Sequence, residues 1–459
     1  MNPRVYVNRT LNMKRIKYIG LDMDHTLVRY NSENFEKLSF SIMVDKLVTN
    51  KGYPDTLRSL EFKYDLAIRG LVIDRKKGNI LKLNRHSAIR ASQHGLHPID
   101  FKIQNKLYKS TYIDLNDPEY LPVDTTFSIS LATLFSQIVE LKNTDKTHTY
   151  PDYSVIADDV LYVLDESHRD GSLKDTVKKN LSHYILKEEN VALGLEKYKR
   201  HGKKIFVLTN SDYFYTKLLL DYAINPFLKD HKSWSELFEL VITSAEKPRF
   251  FQGDSKFLKV NSADGTMTNL YDKLSPGMYQ GGCASKFTKD LDLQGDEILY
   301  IGDHIYGDIL RLKKDCNWRT AMVIEELDTE IQRNKIAEPT NNEIELLMKK
   351  KEPLEDELTE LMTLRFEKSA PVDEAKVDEL QKTTSEIDAH ISQLIKKQQS
   401  LYNPYWGQLM RSGNEESYFA YQVDRYACVY MTKISDIFAL SPRSYFRSPR
   451  KPLSHEIES

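Results

Sequence analysis

KYIGLDMDHTLV, residues 17–28, is an apolar run that stops at two aspartates one residue apart, Asp22 and Asp24, with Thr26 close behind. A short Tyr/Ile/Leu run bounded by polar residues reads as a buried strand. An acidic pair at the C-terminal edge of such a strand costs stability unless something cationic neutralises it. In a doubly wound sheet that edge is also where ligands bind. The stretch therefore asks for a divalent cation and an anionic ligand, with a carboxylate available as nucleophile.

Four further runs have the same character: KIFVL before Thr209, ELVIT before Ser244, EILYI before Gly302 and RTAMVI before Glu325. Near-continuous apolar runs of this length fit strands buried on both faces of a parallel sheet. Helical stretches lie between them, at residues 191–201 with Gly202 as a stop, and at 213–222 behind the polar pair Ser211 and Asp212. Strand alternating with helix predicts an α/β fold, a doubly wound parallel sheet with its core in residues 1–30 and 191–325.

The gap between the first two strands is too long for a simple crossover, so residues 31–190 must hold core helices plus an inserted cap for substrate specificity. Within it, GLVIDRKKGNILKL (70–83) reads as a hairpin turning around 76–79, and KFLKVNSADGTMTNLY (256–271) reads as a second, turning at Asp264 and Gly265. Past Glu325 the composition shifts. Leu354, Leu358 and Leu361 recur at helical spacing, and Val377, Leu380, Thr384, Ile387, Ile391, Leu394, Gln398 and Leu401 step by three and four. With Pro371 between the two stretches, this predicts a helical hairpin in an extension over 326–440, its stripe serving either intramolecular packing or a subunit contact. Residues 441–459, rich in Ser-Pro and Lys-Pro steps, are expected to be a flexible tail.

Composition narrows the class. Lys plus Arg (65) nearly balances Asp plus Glu (67), so no global field points to nucleic acid or an anionic membrane. Three scattered cysteines, Cys283, Cys316 and Cys428, make no disulfide framework or zinc cluster, which favours a reducing, cytoplasmic setting. The N-terminal residues carry no apolar core of a leader, and no segment has the length of a membrane span.

Four strand ends lead into polar groups: DMDHT (22–26), TNSD (209–212), SAEKP (244–248) and GDHIYGD (302–308). Each alone is weak; together, in this order, they resemble the four motifs of the haloacid dehalogenase superfamily of phosphotransferases. That resemblance implies Asp22 as a nucleophile forming an aspartyl-phosphate and Asp24 as general acid, then base. It implies Mg²⁺ held by Asp22, the main-chain carbonyl of Asp24 and Asp303, with Asp308 ordering a water or the lysine. Thr209, Asn210, Ser211 and a lysine would bind phosphate. Spacing alone leaves Lys247 and Lys286 both open as that lysine, because an inserted hairpin lengthens a loop at little cost.

Longer strings decide between them. DMDHTLVRY from Asp22, RGLVIDRKKGNILKL from Arg69, DGSLKDTVKKN from Asp170, LTNSDYFYT from Leu208 and AEKPRFF from Ala245 are similar to the cytosolic purine 5'-nucleotidases, the IMP- and GMP-preferring type II family. The resemblance selects Lys247 and leaves Lys286 on the surface. It implies a purine pocket in the cap, with Phe127 stacking on the base, Asp165 and His168 facing it, and Lys174 reaching the active site. Leu161 and Arg169 depart from the family, standing where an arginine and an aromatic are found. A nucleotide effector site including Tyr306 and Lys314, assembly as a dimer or tetramer, and phosphoryl transfer to nucleosides are also implied. The expected substrate is a purine nucleoside monophosphate, the expected cofactor Mg²⁺, and neither nucleic acid nor membrane is an expected partner.

Overall fold

The computed structural model describes residues 4–109 and 112–456; the end of the expected tail, 457–459, lies outside them. All five strands read from the sequence are present, and they sit side by side. The sheet has ten strands, and Arg319–Val323, Ile298–Gly302, Tyr18–Leu21, Lys204–Leu208 and Leu240–Thr243 are consecutive, mutually parallel neighbours. Tyr18–Leu21 is the central member, and the chain extends the sheet first to one side of it and then to the other. This is the topological switch that opens a crevice at the carboxyl ends.

Register fixes what the crevice contains. Tyr18 stands opposite both Lys204 and Ile298, and Leu21 opposite both Val207 and Ile301. Asp22, Thr209 and Asp303 therefore leave three adjacent strands at the same edge. The alternating side chains bury both faces: Ile19, Leu21, Ile205, Val207, Leu299 and Ile301 in one core, and Tyr18, Phe206, Leu208, Ile298, Tyr300 and Trp318 in the other. Gly20 lies in the central strand where a Cβ would come within 2.3 Å of the Phe206 ring and 2.7 Å of Tyr300. Glycine is what lets those two rings meet across the strand.

Three strands of this sheet escaped the sequence reading: Gly277–Gly281, Val429–Met431 and Val5–Val7, the last antiparallel to Val429–Met431. Gly277–Gly281 joins parallel to Leu240–Thr243, and Val429–Met431 joins parallel to Arg319–Val323. The first is GMYQG, with glycine at both ends; the second ends the apolar run YACVYM (426–431), which the reading passed over. The expected hairpin at 256–271 forms as Phe257–Val260 and Met267–Asn269, and extends the sheet antiparallel beyond Gly277–Gly281. Gly265 adopts φ 74° in its turn.

Residues 31–190 lie in the same compact unit as the main sheet. Helices Ser32–Lys51, Ile129–Thr144 and Tyr153–Arg169 pack together beside a five-stranded antiparallel sheet. The hairpin expected at 70–83 is its centre, Leu71–Asp74 paired with Asn79–Leu83. The helices at 189–200 and 213–223 also form, the second capped by Asp212 accepting from the Tyr215 N–H at 2.9 Å.

The C-terminal boundary differs from the expected 326–440. A separate unit spans Leu327–Gln408, and the chain from Leu409 belongs again to the main unit, because Val429–Met431 supplies a sheet strand there. Within the smaller unit Leu327–Phe366 and Glu374–Gln399 form the expected helical hairpin, burying Val377, Leu380, Thr384, Ile391 and Leu394 of the stripe. Lys351 ties the pair together, reaching Glu355 and Asp388 at 2.7 Å each. In the expected tail, Tyr445–Phe446 pairs antiparallel with Leu11–Asn12. Among the described residues, no helix is long and apolar enough to cross a membrane.

Gly20→Val should lower stability by about 1–3 kcal/mol through overpacking against Phe206 and Tyr300. A denaturation midpoint equal to that of the unaltered protein would show that the strand has room the geometry denies.

Candidate active site

The loops that follow the central strands converge on one ammonium group. Lys247 Nζ lies 2.8 Å from Asp22 Oδ1 and 2.7 Å from Asp308 Oδ1, and donates to the Tyr300 hydroxyl at 3.0 Å. Tyr300 in turn donates to the Leu208 carbonyl at 2.9 Å, so the lysine is tied to the strand that leads into Thr209. Its own backbone is clamped by Asn210, whose Oδ1 accepts from Lys247 N at 2.6 Å and whose amide donates to Lys247 O at 3.0 Å. Burial alone would depress the ammonium pKa, but the Asp22 and Asp308 carboxylates hold it well above its ordinary value. Lys286 is elsewhere, paired with Asp290 Oδ2 at 2.6 Å.

One lysine cannot balance the acids around it. Ligand oxygens of Asp22, Asp303 and Asp308 lie within 4.8 Å of one another. Burial, followed by the nearby Asp308 charge, raises the carboxyl pKa of Asp22 well above the usual range and pushes that of Asp303 up to about 8. Asp303 Oδ2 is buried without a hydrogen-bond partner. An orphaned carboxylate oxygen among converging acids is the donor set of a hard divalent cation, so the residues fit Mg²⁺. Asp308 is spoken for on both oxygens, Oδ1 by Lys247 and Oδ2 by the His304 N–H at 3.3 Å, which suits an ordering role.

Asp24 is held apart from this cluster. It accepts from the Tyr30 hydroxyl at 2.6 Å on Oδ1 and from Ser211 Oγ at 2.9 Å on Oδ2. Burial outweighs both hydrogen bonds and leaves its pKa raised. Tyr30 also contacts Tyr215 at 3.1 Å between hydroxyls. Thr209 differs from expectation: it is fully buried, its Oγ1 accepts from the Ser211 N–H at 3.0 Å, and it does not line the cavity. The residues that reach the cavity from that loop are Asn210 and Ser211.

The cavity holds about 510 Å³ and runs from Asp22, Lys247 and Asp303 to a wall supplied by the insertion, where Phe127, Asp165, His168 and Lys174 all appear. Phe127 stands edge-on to His25 (4.6 Å), His168 (5.2 Å) and Phe35 (5.3 Å). Burial and the Lys174 charge lower the His168 pKa to about 4, so its ring is neutral and can both donate and accept. Lys174 points toward the catalytic end, pairing with Asp212 Oδ2 at 2.6 Å. The two positions that depart from the family, Leu161 and Arg169, line the same wall. Tyr306 and Lys314 do not: Tyr306 accepts from Arg311 at 2.7 Å, and Lys314 lies over the Tyr426 ring at 5.5 Å.

Several supporting residues escaped sequence reasoning. Arg69, buried, donates from Nη1 to the main-chain oxygen of Asp303 at 2.9 Å and from Nε to Glu326 at 2.7 Å. Glu36 is buried beneath the cavity wall, accepting from the Ser130 N–H at 2.7 Å and so capping the helix that begins just after Phe127 and Ser128. Tyr30 and Arg69 stand inside strings quoted above, at the end of DMDHTLVRY and the start of RGLVID, but nothing in one chain marks their roles. Glu36 carries no motif at all.

The model of the 5' nucleotidase family matches residues 5–458. Over 464 residues the chain is 26% identical to a 5'-nucleotidase domain-containing protein of Dictyostelium discoideum, covering 99% of this chain and 75% of that one. It is 25% identical over 475 residues to 5'-nucleotidase domain-containing protein 2 of Homo sapiens, covering 99% and 86% respectively. Among solved structures, an archaeal beta-phosphoglucomutase from a hyperthermophilic Pyrococcus aligns over 67% of this chain and 87% of its own, at 12% identity and a TM-score of 0.30.

Glu36 gives the cavity wall a pH signature. Burial raises its pKa from 4.5 to about 8, so folding takes up a proton between those values and stability falls as pH rises through that window. Glu36→Gln should flatten that fall by up to about 1.4 kcal/mol per pH unit. Denaturation series from pH 5 to 8 that run parallel in both proteins would contradict it.

Proposed function

The chain belongs to the 5' nucleotidase family, and with it to the phosphoric monoester hydrolases, and on that footing we propose that it is a Mg²⁺-dependent nucleotidase releasing phosphate from purine nucleoside 5'-monophosphates such as IMP and GMP. The observation that carries the proposal is a single cavity with two ends. One end gathers Asp22, Asp24, Lys247, Asp303 and Asp308, and the other is walled by Phe127, His168 and Asp165. The first suits a phosphoryl group and the second a flat heteroaromatic ring with polar edges.

Asp22 attacks phosphorus, its Oδ1 steadied by Lys247 at 2.8 Å and by the Met23 N–H at 2.7 Å. As the phosphorus–oxygen ester bond breaks, Asp24 gives its proton to the leaving 5'-oxygen, guided by Tyr30 and Ser211. The Asp24 carboxylate then takes a proton from the water that attacks phosphorus, which returns Asp22 as a carboxylate and releases phosphate. Mg²⁺, held by Asp22, Asp303 and the Asp24 carbonyl, would neutralise charge on the phosphoryl oxygens. Lys247 shares that task, and Asn210 lines the same end of the cavity.

The same reading extends to a homo-oligomer with a nucleotide effector, to a cytoplasmic setting and to transfer of the phosphoryl group to a second nucleoside. Leu161 and Arg169 support a base-end chemistry distinct from an arginine and an aromatic at those places, an apolar shelf ending in a cation.

Phosphate release over a panel of nucleoside monophosphates tests the proposal. Asp22→Asn should abolish turnover while retaining the fold, Asp24→Asn should lower kcat by roughly 10²–10⁴-fold, and chelation of divalent ions should stop release reversibly. Unchanged release by Asp22→Asn would remove the mechanism. Release from sugar phosphates alone, with none from IMP or GMP, would remove the purine assignment.

A further inference from the structure

The opposite edge of the main sheet, where the central strands begin, has a cavity of its own of about 530 Å³. It opens beside Tyr18 and Lys204, the first residues of the strands that lead to Asp22 and Thr209. At about 3.3 Å per residue the strand from Tyr18 to Asp22 separates it from the catalytic cluster by roughly 13 Å. No residue lines both cavities.

Cations reach this cavity from three separate stretches of chain. Lys14 and Lys17 come from the turn before the central strand, Lys203 and Lys204 with His201 from the turn before its neighbour, and Arg443 from near the C-terminus. Two of them are balanced: Lys17 pairs with Glu297 at 2.6 Å and Lys204 with Glu239 at 3.0 Å. Lys14 and Arg443 are exposed and have no carboxylate partner among the described residues. Lys203 is buried to 9% exposure, and its ammonium donates only to the main-chain oxygens of Met13 and Ile16. The Arg443 charge bears on it as well, and together with burial lowers its pKa. Asp292 is the one acidic residue of the lining.

A buried ammonium without an anionic partner is costly, and a guanidinium lining the same cavity adds to the cost. The arrangement makes sense once the missing counter-charge is supplied from outside. We propose that this cavity is an anion site for the phosphate groups of a small phosphorylated ligand. Lys14 and Arg443 close on the phosphate oxygens, and Lys203 gives the N–H that its two carbonyl partners leave over. The Tyr18 ring, buried under Lys204 at 5.4 Å, offers no face for a base, so recognition rests on the phosphates. The site is independent of the catalytic reading.

Calorimetric titration of the metal-free protein with inorganic phosphate, pyrophosphate and ATP tests the proposal, with the unaltered chain compared against Lys14→Gln/Arg443→Gln. Both side chains are exposed and without a carboxylate partner among the described residues, so the double variant should keep its circular dichroism, its unliganded melting temperature and its turnover. Pyrophosphate affinity at this site should fall by about tenfold for each charge removed, and its dependence on salt should become shallower. ATP binding more tightly than pyrophosphate identifies a nucleotide as the source, and equal affinity identifies the phosphate chain alone; either ranking upholds the site. Isotherms that coincide for the two proteins overturn it.

Discussion

Three buried carboxylates share one buried ammonium, and most of the structure around them follows from that imbalance. Asp22, Asp303 and Asp308 crowd within 4.8 Å while Lys247 reaches two of them. A cluster like this is tolerable only if its members are rigidly positioned and a further cation is available. Rigidity comes from placement: Asp22 and Asp303 follow adjacent parallel strands, with Arg69 fixing the main-chain oxygen after one and Tyr300 tying Lys247 to the next strand over. A divalent cation would offset that excess charge and, under the proposed function, would also serve the phosphoryl group.

Separating Asp24 from that cluster divides the labour. The two aspartates of the motif are one residue apart, so on a strand continuing past Leu21 they would point the same way. The turn after Leu21, in which His25 takes φ 56°, instead directs Asp24 toward Tyr30 and Ser211. Burial raises the Asp24 proton affinity against the pull of the Tyr30 and Ser211 hydrogen bonds and of the Lys174 and Lys247 charges, while Asp22 is in direct contact with Lys247. One short motif thus yields two carboxyl groups in unlike surroundings.

What the sequence made legible were the features governed by local pattern. Apolar runs ending in Asp22, Thr209, Ser244 and Gly302 gave the parallel core and its loaded edge, because strands buried on both faces leave an unambiguous composition. The hairpin at 70–83 and the helix pair around Pro371 followed from turn chemistry and periodicity. Gly277–Gly281 was not legible, since its strand state is imposed by neighbours rather than by its own glycine-bounded residues, whereas Val429–Met431 stands in an apolar run, YACVYM, that was passed over. The C-terminal boundary was missed with it. Within the site, charged residues in motifs could be named, but Tyr30, Arg69 and Glu36 act through contacts to residues far off in the chain, which no spacing encodes. Thr209 shows the converse: its place in TNSD was plain, and only the structure shows its hydroxyl turned to the Ser211 amide.

Arg69 belongs to the inserted segment, yet its guanidinium is buried against Glu326 and the carbonyl of Asp303, on the core side of the cavity. Swinging the insertion outward as a rigid lid would break three hydrogen bonds of that group at once, each worth about 1.5–3 kcal/mol. Rotating Lys174 away from half-exposed Asp212 at the rim costs at most about 1 kcal/mol. The enclosure therefore behaves less like a hinged jaw than like a room with a fixed roof, through which traffic is controlled by side chains at the doorway.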